Sequence, residues 1–247
     1  MIMNKPYHFD FSKPETVEEL SNYIGLDAGI LCKLIDSDNR GGFYTRHCIQ
    51  KRSRHRKGRT RIVWTAKYTI YEQAHKAIAR RFNIFARHAV PDFPHPSAYG
   101  YVKHKSTKDN AKIHCGAPLL LRADIENFFP SISYKRLVSK FQELGMKEAP
   151  AIALAKFVTI DDRLPLGLNS SPMLANLICF DLDNQFEKLA SDYGCKYTRY
   201  ADDISISGLS RLPERREIEK ILNKEGFNLS QKNFELPKKG KHITLQA

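Results

Sequence analysis

The chain has 247 residues and a mass of 28.4 kDa, enough for one domain or two small lobes around a sizeable apolar core. Forty Lys and Arg against 27 Asp and Glu leave a formal charge of +13, which makes nucleic acid the first partner to consider. Disorder is excluded by 42% hydrophobic content, no apolar run approaches the roughly 18 residues of a membrane helix, and five cysteines (Cys32, Cys48, Cys115, Cys179, Cys195) without a C-x-x-C pair suggest reduced thiols. A cytoplasmic protein without a membrane partner is expected.

In chain order, residues 14–35 have helical spacing, with Thr16 as cap before Val17, Leu20, Ile24 and Leu26, and Gly25 as a candidate break. Residues 43–64 read as a β-hairpin. It carries the densest charge of the chain: Lys51, Arg52, Arg54, Arg56, Lys57, Arg59 and Arg61 in eleven positions. Such a run is either a phosphate-binding surface or a solvated loop; the apolar stretches on both sides put it in a folded lobe. A helix is expected over residues 65–85, closed by Pro91, Pro94 and Pro96. Residues 118–125 read as a buried strand. Residues 133–144 form a helix capped by Ser133, and residues 149–158 an almost wholly apolar one. Residues 171–189 make a long helix with Pro172 in its first turn. Residues 195–207 read as two strands joined tightly, residues 213–225 as an amphipathic helix, and residues 228–246 as two terminal strands. These last carry a second basic stretch, Lys232, Lys238, Lys239 and Lys241. The order indicates an α+β fold, with an antiparallel sheet on one face of helices.

Two acidic segments stand out. LLLRADIENFF puts Asp124 at the end of an apolar strand, and YTRYADDISIS puts Asp202 and Asp203 between two strand-like halves. An Asp-Asp pair by itself is most often an exposed turn. Here β-branched and aromatic neighbours bracket it, and adjacent carboxylates raise each other's proton affinity unless a cation neutralises them. Mg²⁺ prefers carboxylate oxygens and is usually completed by substrate phosphates; two such ions activate a hydroxyl and stabilise a leaving pyrophosphate. Asp124 precedes Asp202 by 78 positions, so only folding can assemble the set. No His or Cys spacing fits a zinc module.

The string Tyr200-Ala201-Asp202-Asp203 in this hydrophobic frame resembles the signature of reverse transcriptases, on the retron and group II intron branch. HPSAYGYVKHKSTKDNAKIHCG before LLLRADIENFFPSI, the N-A-x-x-H element at residues 110–114, LPLGLNSSPMLANL at residues 164–177, Gly226-Phe227 with Lys232, and KGRTRIVWTA all follow in the family's order, over roughly residues 40–246. The resemblance implies a right-hand polymerase. Residues 1–118 would hold the N-terminal helix and fingers, and residues 119–247 the palm, with 133–170 as interleaved fingers. It implies Asp124, Asp202 and Asp203 as metal ligands, with the Ile125 carbonyl as a further one. The ions would be two Mg²⁺, replaceable by Mn²⁺. Phe129, five residues after Asp124, would exclude a 2′-hydroxyl, though Phe128 and Phe129 also read as core. Arg59 and Arg61 would hold the triphosphate. Gly167 would allow close backbone approach. Ser171 and Pro172 would shape the nucleotide platform, and Asn176 with them would meet the template. Lys232 would protonate the leaving pyrophosphate or serve as one more phosphate contact. Lys51, Arg52, Arg54, Arg56, Lys57, Asn110, His114 and Tyr200 would meet nucleic acid; for His114 a hydrogen bond within its own motif is the other reading.

Three departures stand against the pattern: Leu166 where many members carry Gln, Ala66 where proline is common, and an end at Ala247 where members continue into a thumb, with HITLQA lacking the V-T-G element. The thumb is thus expected to be absent or truncated: either another chain supplies it, or the chain is a truncated product or a reduced variant, and a partner chain supplying a thumb or an effector is the partner to expect. The implied activity is RNA-directed addition of dNTPs to a primer hydroxyl, on a structured noncoding RNA and linked to antiphage defence. The product would be an RNA/DNA duplex. The competing readings are an RNA-binding scaffold on a polymerase fold, and an RNA polymerase or terminal transferase on the same palm.

Overall fold

The computed structural model describes residues 9–37, 40–50 and 60–235. The Lys51–Arg59 stretch of the basic run, and the lysines after Lys232, lie outside them. The chain divides into two compact units, residues 1–91 with 132–175, and residues 92–131 with 176–247. Among the described residues no helix is long and apolar enough to cross a membrane.

The first unit is mainly helical. α1 (Val17–Ile24) begins where the Thr16 hydroxyl accepts the Glu19 N–H at 3.2 Å, and ends at Gly25 with φ +70°. Asp27 then caps α2 (Ala28–Ile35), so the expected single helix is two, broken at the glycine. The hairpin of β1 (Tyr44–Gln50) and β2 (Thr60–Ala66) pairs Tyr44 with Ala66. That pairing claims Thr65 and Ala66 for the sheet. The next helix, α3 (Thr69–Ala89), therefore starts four residues later than its periodicity suggests.

Later in the chain, α6 (Tyr134–Glu143) is capped by Ser133 as expected, and α7 (Glu148–Val158) is buried along much of its length. Phe11, Phe82, Phe85 and Phe141 meet in an aromatic core, with ring centroids 4.8–5.7 Å apart. His75, 1% exposed, stacks on Phe157 and bonds the Tyr44 hydroxyl at 3.0 Å and the Ser170 hydroxyl at 2.8 Å.

The second unit is a four-stranded antiparallel sheet with helices. Its strands are β3 (Leu119–Ile125), β4 (Lys196–Tyr200), β5 (Asp203–Gly208) and β6 (Leu229–Glu235), in spatial order β4-β5-β3-β6. α9 (Phe180–Asp192) packs on β4, and α10 (Arg215–Lys224) packs on α9 and β6. α8 (Ser171–Ile178) carries the chain from the first unit into the second, and one residue, Cys179, interrupts the helix expected to be continuous.

Residues 92–118 join the sheet unit because Ala98 bridges Arg199: the Arg199 N–H donates to Ser97 O at 2.9 Å and the Tyr99 N–H to Arg199 O at 2.8 Å. An unexpected helix, α4 (Thr107–His114), lies in this stretch, opened by a reciprocal capping box between Ser106 and Asp109.

The buried His75 sets a pH dependence. Burial pulls its pKa down to about 3 from the ordinary 6.5, so below 6.5 the unfolded chain binds a proton that the folded one excludes. Stability contributed by the neutral imidazole is full above pH 6.5 and is lost as pH falls. Urea unfolding at about pH 7 and about pH 5 should differ by about 2 kcal/mol from this one group. His75→Gln should shrink the difference by that amount; an unchanged pH slope in the variant would contradict a neutral buried ring.

Candidate active site

β3 and β5 are antiparallel neighbours, and their register places Asp124 directly opposite Asp203. β4 and β5 pair Tyr200 with Asp203, so Ala201 and Asp202 form a two-residue connection between them. The Ile125 N–H donates to the Asp202 carbonyl at 2.9 Å, tying that connection to the end of β3. Three carboxylates 78 positions apart in sequence thus share one corner of the sheet. They differ in exposure: Asp203 is exposed, while Asp124 and Asp202 are half-buried.

The electrostatics follow from that crowding. Burial, then the negative charges of Asp124 and Asp203, push the Asp202 carboxyl up to about 6. Arg122, on the same face of β3 as Asp124, brings its guanidinium within 3.9 Å of the Asp203 carboxylate, both side chains about half exposed. Among the described residues no group of three or more His, Cys, Asp or Glu closes into a metal cage. The donor chemistry nevertheless fits a hard divalent cation. Carboxylate oxygens are its preferred ligands, it keeps open positions for water and phosphate, and positive charge relieves the crowding at Asp202.

The connection is held from behind. Arg199 is fully buried, as is Asp183 on α9. Arg199 Nε donates to Asp183 Oδ1 and Nη2 to Asp183 Oδ2, both at 2.7 Å; Nη2 also reaches Asn176 Oδ1, and Nη1 donates to the Ala201 carbonyl, each at 3.1 Å. The Tyr197 hydroxyl donates to Asp183 Oδ1 at 2.7 Å. Burial weakens the guanidinium's hold on its proton, but Asp183 outweighs it and the net shift is upward. Ala201 itself has φ +57°, a left-handed conformation that costs a non-glycine residue on the order of 1 kcal/mol.

Other expected site residues have different surroundings. Asn176, 4% exposed, spends its amide on the Gly100 carbonyl at 3.0 Å and its oxygen on Arg199. His114, 3% exposed, bonds Ser207 at 2.8 Å and Thr198 at 2.7 Å, pinning α4 to β4 and β5; burial and Lys196 pull its pKa down to about 4. The polar atoms of Asn176 and His114 are thus bonded within the fold. Asn110, half-buried, lies one turn from His114 on α4. Tyr200 is half-buried on β4. Phe129, 6% exposed, has its ring 5.2 Å from Phe128 and 5.9 Å from the exposed Tyr101.

In the first unit Arg61 is exposed on β2. Gly167 has φ +113°, and a Cβ there would stand 2.4 Å from the Trp64 carbonyl, so the glycine admits the hairpin backbone. The Leu166 carbonyl accepts the Trp64 N–H at 2.8 Å, a main-chain bond that needs no Gln. Ser171 is fully buried and Pro172 half-buried at the start of α8. Arg59 lies outside the described residues. Lys232 belongs to β6, and its side chain is likewise outside them.

Sequence reading missed Arg199, Asp183 and Gly100. A signal was present for one pair: Asp183 interrupts the apolar stripe Leu182, Phe186, Ala190 of α9, and Arg199 sits among inward residues of β4.

Comparison with known proteins bears on this corner. Residues 49–241 match the family model described as reverse transcriptase (RNA-dependent DNA polymerase). The chain is 37% identical over 140 residues to the Retron Ec86 reverse transcriptase of Escherichia coli, covering 56% of this chain and 44% of that protein. It is 28% identical over 246 residues to the Retron Mx65 reverse transcriptase of Myxococcus xanthus, covering 91% of this chain and 56% of that protein. The chain thus spans about half the length of these curated relatives. With most of its length matched, and with retron enzymes as its relatives, the chain belongs to the reverse transcriptase (RNA-dependent DNA polymerase) family and is of the bacterial retron type.

Proposed function

We propose that this chain carries the fingers and palm of an RNA-directed DNA polymerase that adds dNTPs to a primer hydroxyl on a structured, retron-like RNA. One observation carries the reading: Asp124, Asp202 and Asp203 lie at one corner of the antiparallel sheet, within the residues that match the family model. Asp124, Asp202, Asp203 and the Ile125 carbonyl would hold two Mg²⁺. When bound, these ions supply charge that activates the primer hydroxyl and stabilises the leaving pyrophosphate. The residues' own task is to present oxygen ligands at a fixed spacing, which the β3–β5 register does without side-chain reach. Arg122 offers a cation beside Asp203, suited to an anionic primer or nucleotide. Arg61, exposed on β2, supports phosphate binding by the first unit. The basic run of residues 51–61 supplies charge for the RNA backbone. A role with an effector or a thumb-bearing partner in antiphage defence extends the same reading.

Primer extension with purified protein, primed RNA, labelled dNTPs and Mg²⁺ tests it. Asp202→Ala with Asp203→Ala should cut synthesis by ~100-fold or more while RNA affinity stays equal or tightens, because anionic groups leave an anion-binding surface. Retained synthesis would remove these residues from the site. No synthesis by the wild-type chain, even with its native RNA and partner, would favour an RNA-binding scaffold.

Phe129 is proposed as the residue that excludes a 2′-hydroxyl. Phe129→Ala should raise ribonucleotide use relative to dNTP by ~10-fold or more. Phe128, stacked on Phe227 at 6.1 Å, is the control: Phe128→Ala should cost about 3–5 kcal/mol of stability with no change in sugar preference. An unchanged preference in Phe129→Ala would make both rings core.

A further inference from the structure

We infer that Arg199, with Asp183 and the Gly100 backbone, is a positioning device for the metal-ligand turn: a buried clamp that acts on Asp202 and Asp203 through the main chain of Ala201. The inference rests on the polymerase reading for the turn's purpose, but its geometry stands apart from that reading.

Two contacts converge on Ala201, and Asn176 ties them together. The Arg199 guanidinium donates to the Ala201 carbonyl at 3.1 Å. The Gly100 backbone lies so close on another side that a Cβ there would stand 2.3 Å from the Ala201 nitrogen. Gly100 is itself tethered, its carbonyl accepting from Asn176 at 3.0 Å, and Asn176 bonds Arg199 in turn. Ala201 is thus enclosed by a ring of bonded partners, is buried, and holds a backbone conformation that alanine disfavours. The next two residues are Asp202 and Asp203. Their carboxylates repel, so an unrestrained connection would relax by rotating them apart. Asp183 fixes the guanidinium through both oxygens and takes a third bond from Tyr197, so the donor facing Ala201 cannot turn away. A buried ion pair is poor evidence for stability, because well-packed apolar groups often replace it without loss. What an apolar replacement cannot supply is the bond to the Ala201 carbonyl.

That difference is the test. The triple variant Arg199→Met, Asp183→Leu, Tyr197→Phe removes the network without leaving a charge or its hydroxyl partner behind. Arg199→Lys keeps a charge for Asp183 but loses the fork that reaches Asn176 and Ala201 together. Gly100→Ala pushes on Ala201 from the other side. Each should leave the chain folded enough for three measurements. Amide hydrogen exchange at residues 200–203 should rise ~10-fold or more, with the rest of β3 and β5 little changed. The half-saturation of Mn²⁺ binding, read by electron paramagnetic resonance on the polymerase without substrate, should rise several-fold. The kcat for extension should fall ~10- to 100-fold, with the KM for dNTP changed less than about twofold. If the folded triple variant kept wild-type exchange and Mn²⁺ affinity, the network would be core filling and the inference would be overturned. If exchange shifted as expected but no form of the protein extended a primer, the clamp would stand and the polymerase reading would fall. Variants that extended primers like the wild type, with unshifted exchange, would sink the clamp alone.

Discussion

The sheet unit depends on keeping like charges together. Three carboxylates sit where two antiparallel pairings meet, and burial plus mutual repulsion raise the proton affinity of Asp202. The backbone holds the three in register, and Arg122 sets a positive charge 3.9 Å from the Asp203 carboxylate. β3 and β5 fix Asp124 against Asp203 through their hydrogen-bond ladder, and the Ile125 N–H fixes the Asp202 carbonyl. Behind them Arg199 and Asp183 form a pair with no exposure to solvent. Removing either partner alone would leave an uncompensated buried charge, a penalty of about 3–5 kcal/mol. The pair therefore resists local opening at the place where repulsion favours it.

This division of labour recurs through the chain. Several motif residues are bonded within the fold. His114 closes α4 onto the sheet with both ring nitrogens, and Asn176 links the Gly100 loop to Arg199. Gly167 makes room for the Trp64 carbonyl. A buried polar group must be bonded or it destabilises the fold, so these bonds serve the fold itself. Asp203, Arg122, Arg61 and Tyr101, by contrast, are exposed.

The units themselves are discontinuous in sequence. Residues 92–131 join the sheet unit through main-chain bonds at Ser97, Tyr99 and Arg199, and residues 132–175 return to the helical unit. Kinship with retron reverse transcriptases covers both, since the family match runs from residue 49 to residue 241.

Local chemistry was legible in the linear chain. Thr16, Ser133 and Gly25 mark helix ends because capping involves only neighbouring residues, and the apolar run before Asp124 marks a central strand. That Asp124 meets the Asp202–Asp203 pair was expected from the resemblance to reverse transcriptases, and the β3–β5 register places Asp124 opposite Asp203. Tertiary structure alone decided which residues serve Asp202 from behind, where α3 begins, and that residues 92–118 belong with the sheet. Each of these depends on partners beyond a helical turn or a strand's own length: Asp183 for Arg199, Tyr44 for Ala66 and, about a hundred positions away, Arg199 for Ala98. Periodicity and capping report on neighbours a turn away. A hydrogen bond between separate elements leaves no trace of its partner's identity in either segment, so only the folded chain reveals the pairing.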